Sequence, residues 1–141
     1  MRILTIDYGL KRIGLAVSDP LGITAQALKT LAHPPTQEGL LKKLEEIVKG
    51  GEVSKVVLGL PLNMDGTKGE QARVVEKLAE ALRRYLSVPV ETWDERLSTA
   101  RVERHFREWK LSVAKRRQLV DQLSAQMMLQ DYLDAQKGKG T

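Results

Sequence analysis

Met1-Arg2-Ile3-Leu4-Thr5-Ile6-Asp7-Tyr8-Gly9 decides the reading of this chain: an apolar run that ends on a carboxylate and passes at once into turn residues. Such a run predicts a buried strand whose last residue carries Asp7 to the lip of a sheet. A lone charge there is costly, so the acid needs a partner such as a metal, a base or a capped backbone. Two readings of Asp7 stand at this point. One is a functional acid, the other a cap on the turn into Gly9, because Asp before Gly is common turn chemistry.

Working outward, residues 12–18 form a second apolar run and residues 22–28 a third, joined by turns at 8–11 and 19–21. Loops that short predict an antiparallel meander. After His33-Pro34-Pro35 the period becomes helical, with Thr36 as N-cap, Leu40, Leu41, Leu44, Ile47 and Val48 on one stripe, and Gly50-Gly51 as the stop. Residues 53–60 are almost continuously apolar and end at Pro61, which predicts a buried parallel strand. A second helix turns Val75, Leu78, Ala79, Leu82 and Leu86 inward and leads to a strand over 88–93. A helix over about 97–106, a basic turn and a long helix over about 112–135 complete a single α/β domain spanning 1–135, and residues 136–141 are expected to form a flexible tail.

The composition narrows the chemistry. At 141 residues the chain supports one core, burying about 70% of its unfolded surface. With no cysteine there is neither a disulfide nor a Cys-based zinc site, and two histidines, His33 and His105, are too few for a His-rich one. Any metal must be held by oxygen, which points to Mg²⁺ or Mn²⁺. The start leads straight into a strand and no stretch of about 18 apolar residues occurs, so a cytoplasmic protein without a membrane partner is expected. A net charge of +5 permits a polyanionic partner without requiring one.

Ligands of open α/β sheets gather outside the carboxyl ends of the parallel strands. Asp7 ends the first strand and Asp94-Glu95 the last, so both are expected on that edge. A third acid, Asp121, heads the stripe Asp121, Ala125, Met128 and Tyr132 of the final helix, a stripe that must pack on the sheet. It reads either as a functional carboxylate or as a core-edge partner of Arg96 or Arg117. Carboxylates gathered without a cation repel by about 1–4 kcal/mol per pair at ~4 Å, a cost that a divalent ion removes.

Four motifs then match a known pattern in order: Asp7 to Asp19, Gly59-Leu60-Pro61-Leu62-Asn63-Met64-Asp65-Gly66-Thr67, Asp94-Glu95-Arg96-Leu97-Ser98-Thr99, and Asp121-Gln122-Leu123-Ser124-Ala125 followed by Leu129-Gln130. Over nearly its whole length the chain resembles the YqgF/RuvX family, bacterial proteins assigned to pre-16S rRNA processing or Holliday junction resolution. The resemblance implies a ribonuclease H-like fold, a mixed five-stranded sheet with its first three strands antiparallel and helices on both faces. It implies that Asp7, Glu95 and Asp121 are the catalytic, metal-binding acids of an Mg²⁺- or Mn²⁺-dependent endonuclease, processing the 5′ end of pre-16S rRNA in ribosome biogenesis. Holliday junction cleavage in DNA recombination and repair is the alternative, and a non-catalytic RNA-binding or transcription-associated module is the alternative of another class. A nucleotide-dependent ATPase of the actin and sugar-kinase type needs two such domains, more than this length provides.

The chain departs from the family pattern in two places. Ser98-Thr99 stands where Thr-Thr is usual and keeps both hydroxyls. Ser124 and Gln126 occupy an alanine-rich stretch, which is expected to loosen the packing of the last helix. No acid stands at the tip of the 53–60 strand, where many ribonuclease H relatives keep one, so Asp65 or Asp94 becomes a candidate to complete the metal site. Around the acids, Lys11, Arg12, Asn63, Arg96, Thr99, Arg116 and Arg117 are candidate nucleic-acid contacts, against plainer readings as solvated turns, helix caps and exposed helical charge. Trp93 and Trp109 read as base-stacking or as packing residues. The expected partner is nucleic acid, an rRNA precursor or branched DNA, bound by a monomer or weak homodimer.

Overall fold

Along β1 (Arg2–Tyr8) successive side chains enter opposite cores: Leu4 and Ile6 join one cluster, while Ile3 joins the other and the fully buried Thr5 shares its face. The same alternation runs through β2 (Arg12–Ser18), where Ile13, Leu15 and Val17 oppose Ala16, and through β5 (Val53–Leu60), where Val56 and Leu58 oppose Val57. A sheet apolar on both sides must be covered on both sides. The computed structural model describes the backbone of residues 1–97 and 113–139 and the side chains of residues 1–96 and 123–137.

The sheet order is β3-β2-β1-β5-β6, with β3 (Ala25–Ala27) and β6 (Val90–Asp94) at the edges. β1, β2 and β3 pair antiparallel, and β5 pairs parallel with both β1 and β6. Helices α1 (Gln37–Gly50) and α2 (Glu70–Tyr85) cover one face through Leu40, Leu44, Val48, Val75, Leu78, Ala79 and Leu82. Helix α3 (Val113–Lys139) covers the other through Ala125, Leu129, Tyr132 and Leu133. Thr36 caps α1 as expected, its hydroxyl accepting the Gly39 N–H at 3.1 Å, and Gly51 closes it on the carbonyl of Ile47. No described helix is long and apolar enough to cross a membrane.

Three local expectations are corrected. The third strand is short because Asp19 Oδ1 accepts the N–H groups of Ile23 and Thr24, and Gly22 has φ +69°, so turn chemistry takes residues 22–24. The chain then returns to β2 as a sixth, two-residue strand, β4 (Leu31–Ala32), opposite Arg12 and Ile13. The glutamines of α3 tighten its packing instead of loosening it. Gln126 donates to the Ala25 carbonyl at 3.0 Å, and Gln130 accepts the Ala25 N–H at 3.2 Å and donates to the Ile23 carbonyl at 3.1 Å. These bonds occupy backbone groups beside edge strand β3. Helix α3 also continues beyond residue 135 to Lys139, since Gln136 and Lys137 are good helix formers. Most of the helix expected over 97–106 lies outside the described residues, and Glu95–Leu97 is a 3₁₀ turn.

Candidate active site

Because β1, β5 and β6 run parallel, their carboxyl ends share one edge of the sheet. Asp7 is half-buried there, on the α3 face by alternation from Ile3 and Thr5. The turn beyond it is closed by the Gly9 N–H, which donates to the carbonyls of Asp7 at 3.1 Å and Arg12 at 3.0 Å. A Cβ on Gly9 would lie 2.6 Å from the Arg12 carbonyl oxygen, so this tight turn requires glycine.

Glu95 begins the 3₁₀ turn after β6 and folds back over β5. A Cβ on Gly59 would lie 2.5 Å from Glu95 Oε1, 3.0 Å from its Cγ and 2.5 Å from Met128 Sδ. The missing side chain of Gly59 is therefore the space that Glu95 fills, between the sheet and α3. Ile6 pairs with Leu58, and the next step of that register sets Asp7 beside Gly59. Adjacent strands are about 4.8 Å apart, so Asp7 and the Glu95 carboxylate occupy neighbouring positions on one face.

Helix α3 runs antiparallel to these strands: Tyr132 meets Lys55 near the start of β5 and Met128 meets Gly59 near its end. Its stripe packs as the sequence predicts, with Ala125, Met128 and Tyr132 all buried. Thr5 donates to the Ala125 carbonyl at 3.2 Å, which fixes Ala125 over β1. Residue 121 is one turn before Ala125, about 6 Å nearer the same edge, and Asp7 is two residues, about 6.6 Å, beyond Thr5. The helix backbone and the strand thus bring positions 121 and 7 to one level. The side chain of Asp121 lies outside the described set. Among the described residues no group of three or more acids or histidines could hold a metal ion.

The two candidate substitutes for a missing acid are engaged elsewhere. Asp94 takes the Arg96 guanidinium at 2.7–3.1 Å through both its oxygens, which raises the Arg96 pKa above its ordinary value. Asp65 accepts the Thr67 hydroxyl at 2.6 Å and the Thr67 N–H at 2.9 Å, and these bonds hold its carboxyl below the usual carboxylate range. Arg96 also donates to the Met64 carbonyl at 3.3 Å, tying the loop after β5 to the turn that carries Glu95. Asn63 closes that loop, donating to Thr67 Oγ1 at 2.9 Å and accepting the Gly66 N–H at 2.8 Å, while Gly69 is the N-cap of α2. Lys11 is exposed at the β1–β2 turn with Arg12 half-buried behind it. Arg116 and Arg117 lie on α3 with their side chains outside the described set, and Thr99 and Trp109 lie outside it altogether. Trp93 packs edge-on against Tyr132 at 5.9 Å, which is the packing reading of that residue. The site residues that sequence reasoning missed are Gly59 and Met128's role against it; a glycine inside a buried strand was the available signal.

A family model described as "RuvX: Holliday junction resolvase" matches residues 1–135. The chain belongs to the RuvX family. A Myxococcus xanthus relative named "Putative pre-16S rRNA nuclease" is 45% identical over 141 residues, covering 100% of this chain and 93% of its own. A Syntrophomonas wolfei relative of the same name is 46% identical over 134 residues, covering 95% and 94%. RuvX membership makes the chain a nuclease, a hydrolase of phosphodiester bonds. Among solved structures, T. thermophilus RuvC in complex with Holliday junction substrate superposes with a TM-score of 0.61 at 16% identity, over 98% of this chain and 96% of that one. That likeness shows the ribonuclease H-like fold.

Proposed function

We propose that Asp7, Glu95 and Asp121 form the catalytic site of a divalent-cation-dependent endonuclease that processes the 5′ end of pre-16S rRNA. The observation that carries this reading is the folding of Glu95 over Gly59, which sets a second carboxylate beside Asp7 at the sheet edge. The donors are all carboxylate oxygens, a set suited to Mg²⁺ or Mn²⁺, and the ion would supply Lewis-acid stabilisation of charge on the phosphate. The chain's own groups do the rest. Asp7 and Glu95 orient the attacking water against the phosphorus, and Lys11 and Arg12 neutralise charge that develops on the phosphate. Asn63, Arg96, Thr99, Arg116 and Arg117 hold the backbone of the substrate.

The description of the family favours a second substrate, the four-way DNA junction. Paired cuts in a junction call for a two-fold dimer, whereas RNA processing needs only a monomer or weak homodimer, so sizing in solution separates the two. The direct test incubates the purified protein with precursor 16S RNA and with a four-way DNA junction, each with Mg²⁺, Mn²⁺ or EDTA. RNA cleavage abolished by EDTA is the expected result. Junction cleavage alone transfers the reading to the resolvase, and binding without cleavage of either overturns the nuclease mechanism.

A further inference from the structure

Among the described residues, two large apolar side chains stand in solvent on the edge that carries Asp7 and Glu95: Leu10 is 85% exposed and Met64 is 79% exposed. Leu10 sits in the turn after β1 and Met64 in the loop after the neighbouring strand β5, so they rise on adjacent strands. Exposed Met1 and Leu21 belong to the opposite end of the molecule, where the Met1 ammonium donates to the Pro20 carbonyl.

Neither loop is slack. The Leu10 turn is closed by the Gly9 N–H on the Arg12 carbonyl. The Met64 loop is closed by Gly66 on Asn63, by Asn63 on the Thr67 carbonyl, by Thr67 on Asp65 and by Arg96 on the carbonyl of Met64 itself. The Leu10 tip has an exposed cation next to it in Lys11, while the Arg96 guanidinium beside the Met64 loop, 3.4 Å from a Cβ position on Gly66, is paired with Asp94. A nucleotide offers the matching pair, an apolar base face and a phosphate, and a base that leaves its stack needs an apolar surface to receive it. A tip already held rigid loses little freedom when it does so.

We propose that Leu10 and Met64 flank the scissile phosphate and each receive an unstacked base. The site then selects nucleic acid whose bases at the cut are unpaired or easily unpaired, over continuous duplex. The inference rests on the nuclease reading of the same edge.

The test compares the wild-type chain with Leu10→Ala, Met64→Ala and Lys11→Ala. The probe is a single-stranded RNA carrying 2-aminopurine, free and annealed to its complement, with binding followed across a salt series and cleavage in Mg²⁺. The wild type is expected to bind the single strand better than the duplex and to raise 2-aminopurine fluorescence. Met64→Ala and Leu10→Ala are expected to remove that rise and weaken binding about tenfold with the salt slope unchanged. Lys11→Ala is expected to reduce the salt slope by about one. Wild-type cleavage with both alanine variants matching wild type in fluorescence and affinity overturns the inference alone. A wild type that neither binds nor cleaves the RNA, or any nucleic acid tested, overturns the nuclease reading and the inference with it.

Discussion

Gly59→Ala is the sharpest perturbation of the site that leaves every acid in place. The added methyl would stand 2.5 Å from both Glu95 Oε1 and Met128 Sδ, while ordinary contacts begin at 3.4 Å, so each neighbour must withdraw by 3.4 − 2.5 = 0.9 Å. Met128 is buried and Glu95 half-buried, so neither moves freely. Overpacking of this kind costs about 1–3 kcal/mol, read as a lower urea midpoint with an unchanged slope. The chemistry should suffer more than the fold, because a shift of about 1 Å in a reacting constellation costs on the order of 10²-fold in rate. The control is Gly50→Ala, where nothing lies within 4 Å of the new Cβ at the end of α1. That variant should gain about 0.4–1 kcal/mol and cleave like wild type. The assay is single-turnover cleavage of precursor 16S RNA beside urea unfolding. A Gly59→Ala protein with wild-type stability and rate would refute the claim that Gly59 makes room for a catalytic Glu95.

Two further outcomes follow from groups away from the acids. Ser18→Ala removes the buried hydroxyl that accepts the Ile3 N–H at 2.8 Å, so unfolding in urea should show a loss of about 1–3 kcal/mol, with cleavage retained below the midpoint. Under α3, Lys55 donates to Tyr132 at 3.0 Å and pairs with Glu91 at 3.3 Å, and the Tyr132 hydroxyl donates to Glu91. The hydrogen bond to Tyr132 raises the Lys55 pKa above its ordinary 10.5, and burial raises that of Tyr132 above 10.0. Both groups hold their protons more tightly in the folded state, so their contribution is complete below about pH 10 and is lost as pH rises past these values. Stability measured from pH 8 upward should fall above about pH 10, and the fall should shrink in Tyr132→Phe.

Much of this arrangement was legible in the sequence because burial on two faces leaves a clear period. The run 53–60, the stripe of α1 and the stripe Ala125, Met128, Tyr132 each appear in the structure as the pattern predicts. The third strand was misjudged because the bonds from Asp19 to the backbone of Ile23 and Thr24 are turn chemistry that a run of apolar residues conceals. Gln126 looked like a packing defect because its partner, the Ala25 carbonyl, is 101 residues away. The role of Gly59, a residue of the second motif, is hidden for a related reason. Its value comes from Glu95 and Met128, and only the folded chain brings those three together. The acids at the strand ends could be placed on one edge from topology alone, whereas the commitment of Asp94 to Arg96 and of Asp65 to Thr67 needed side-chain geometry.

The central claim is that three acids act as one catalytic unit, and the most direct measurement is the single-turnover cleavage rate of precursor 16S RNA at saturating Mg²⁺ for Asp7→Asn, Glu95→Gln and Asp121→Asn. The account predicts that each variant keeps its circular dichroism spectrum and its RNA affinity while its rate falls on the order of 10³-fold, with no additive loss when two are combined. Wild-type cleavage by any one of the three contradicts it.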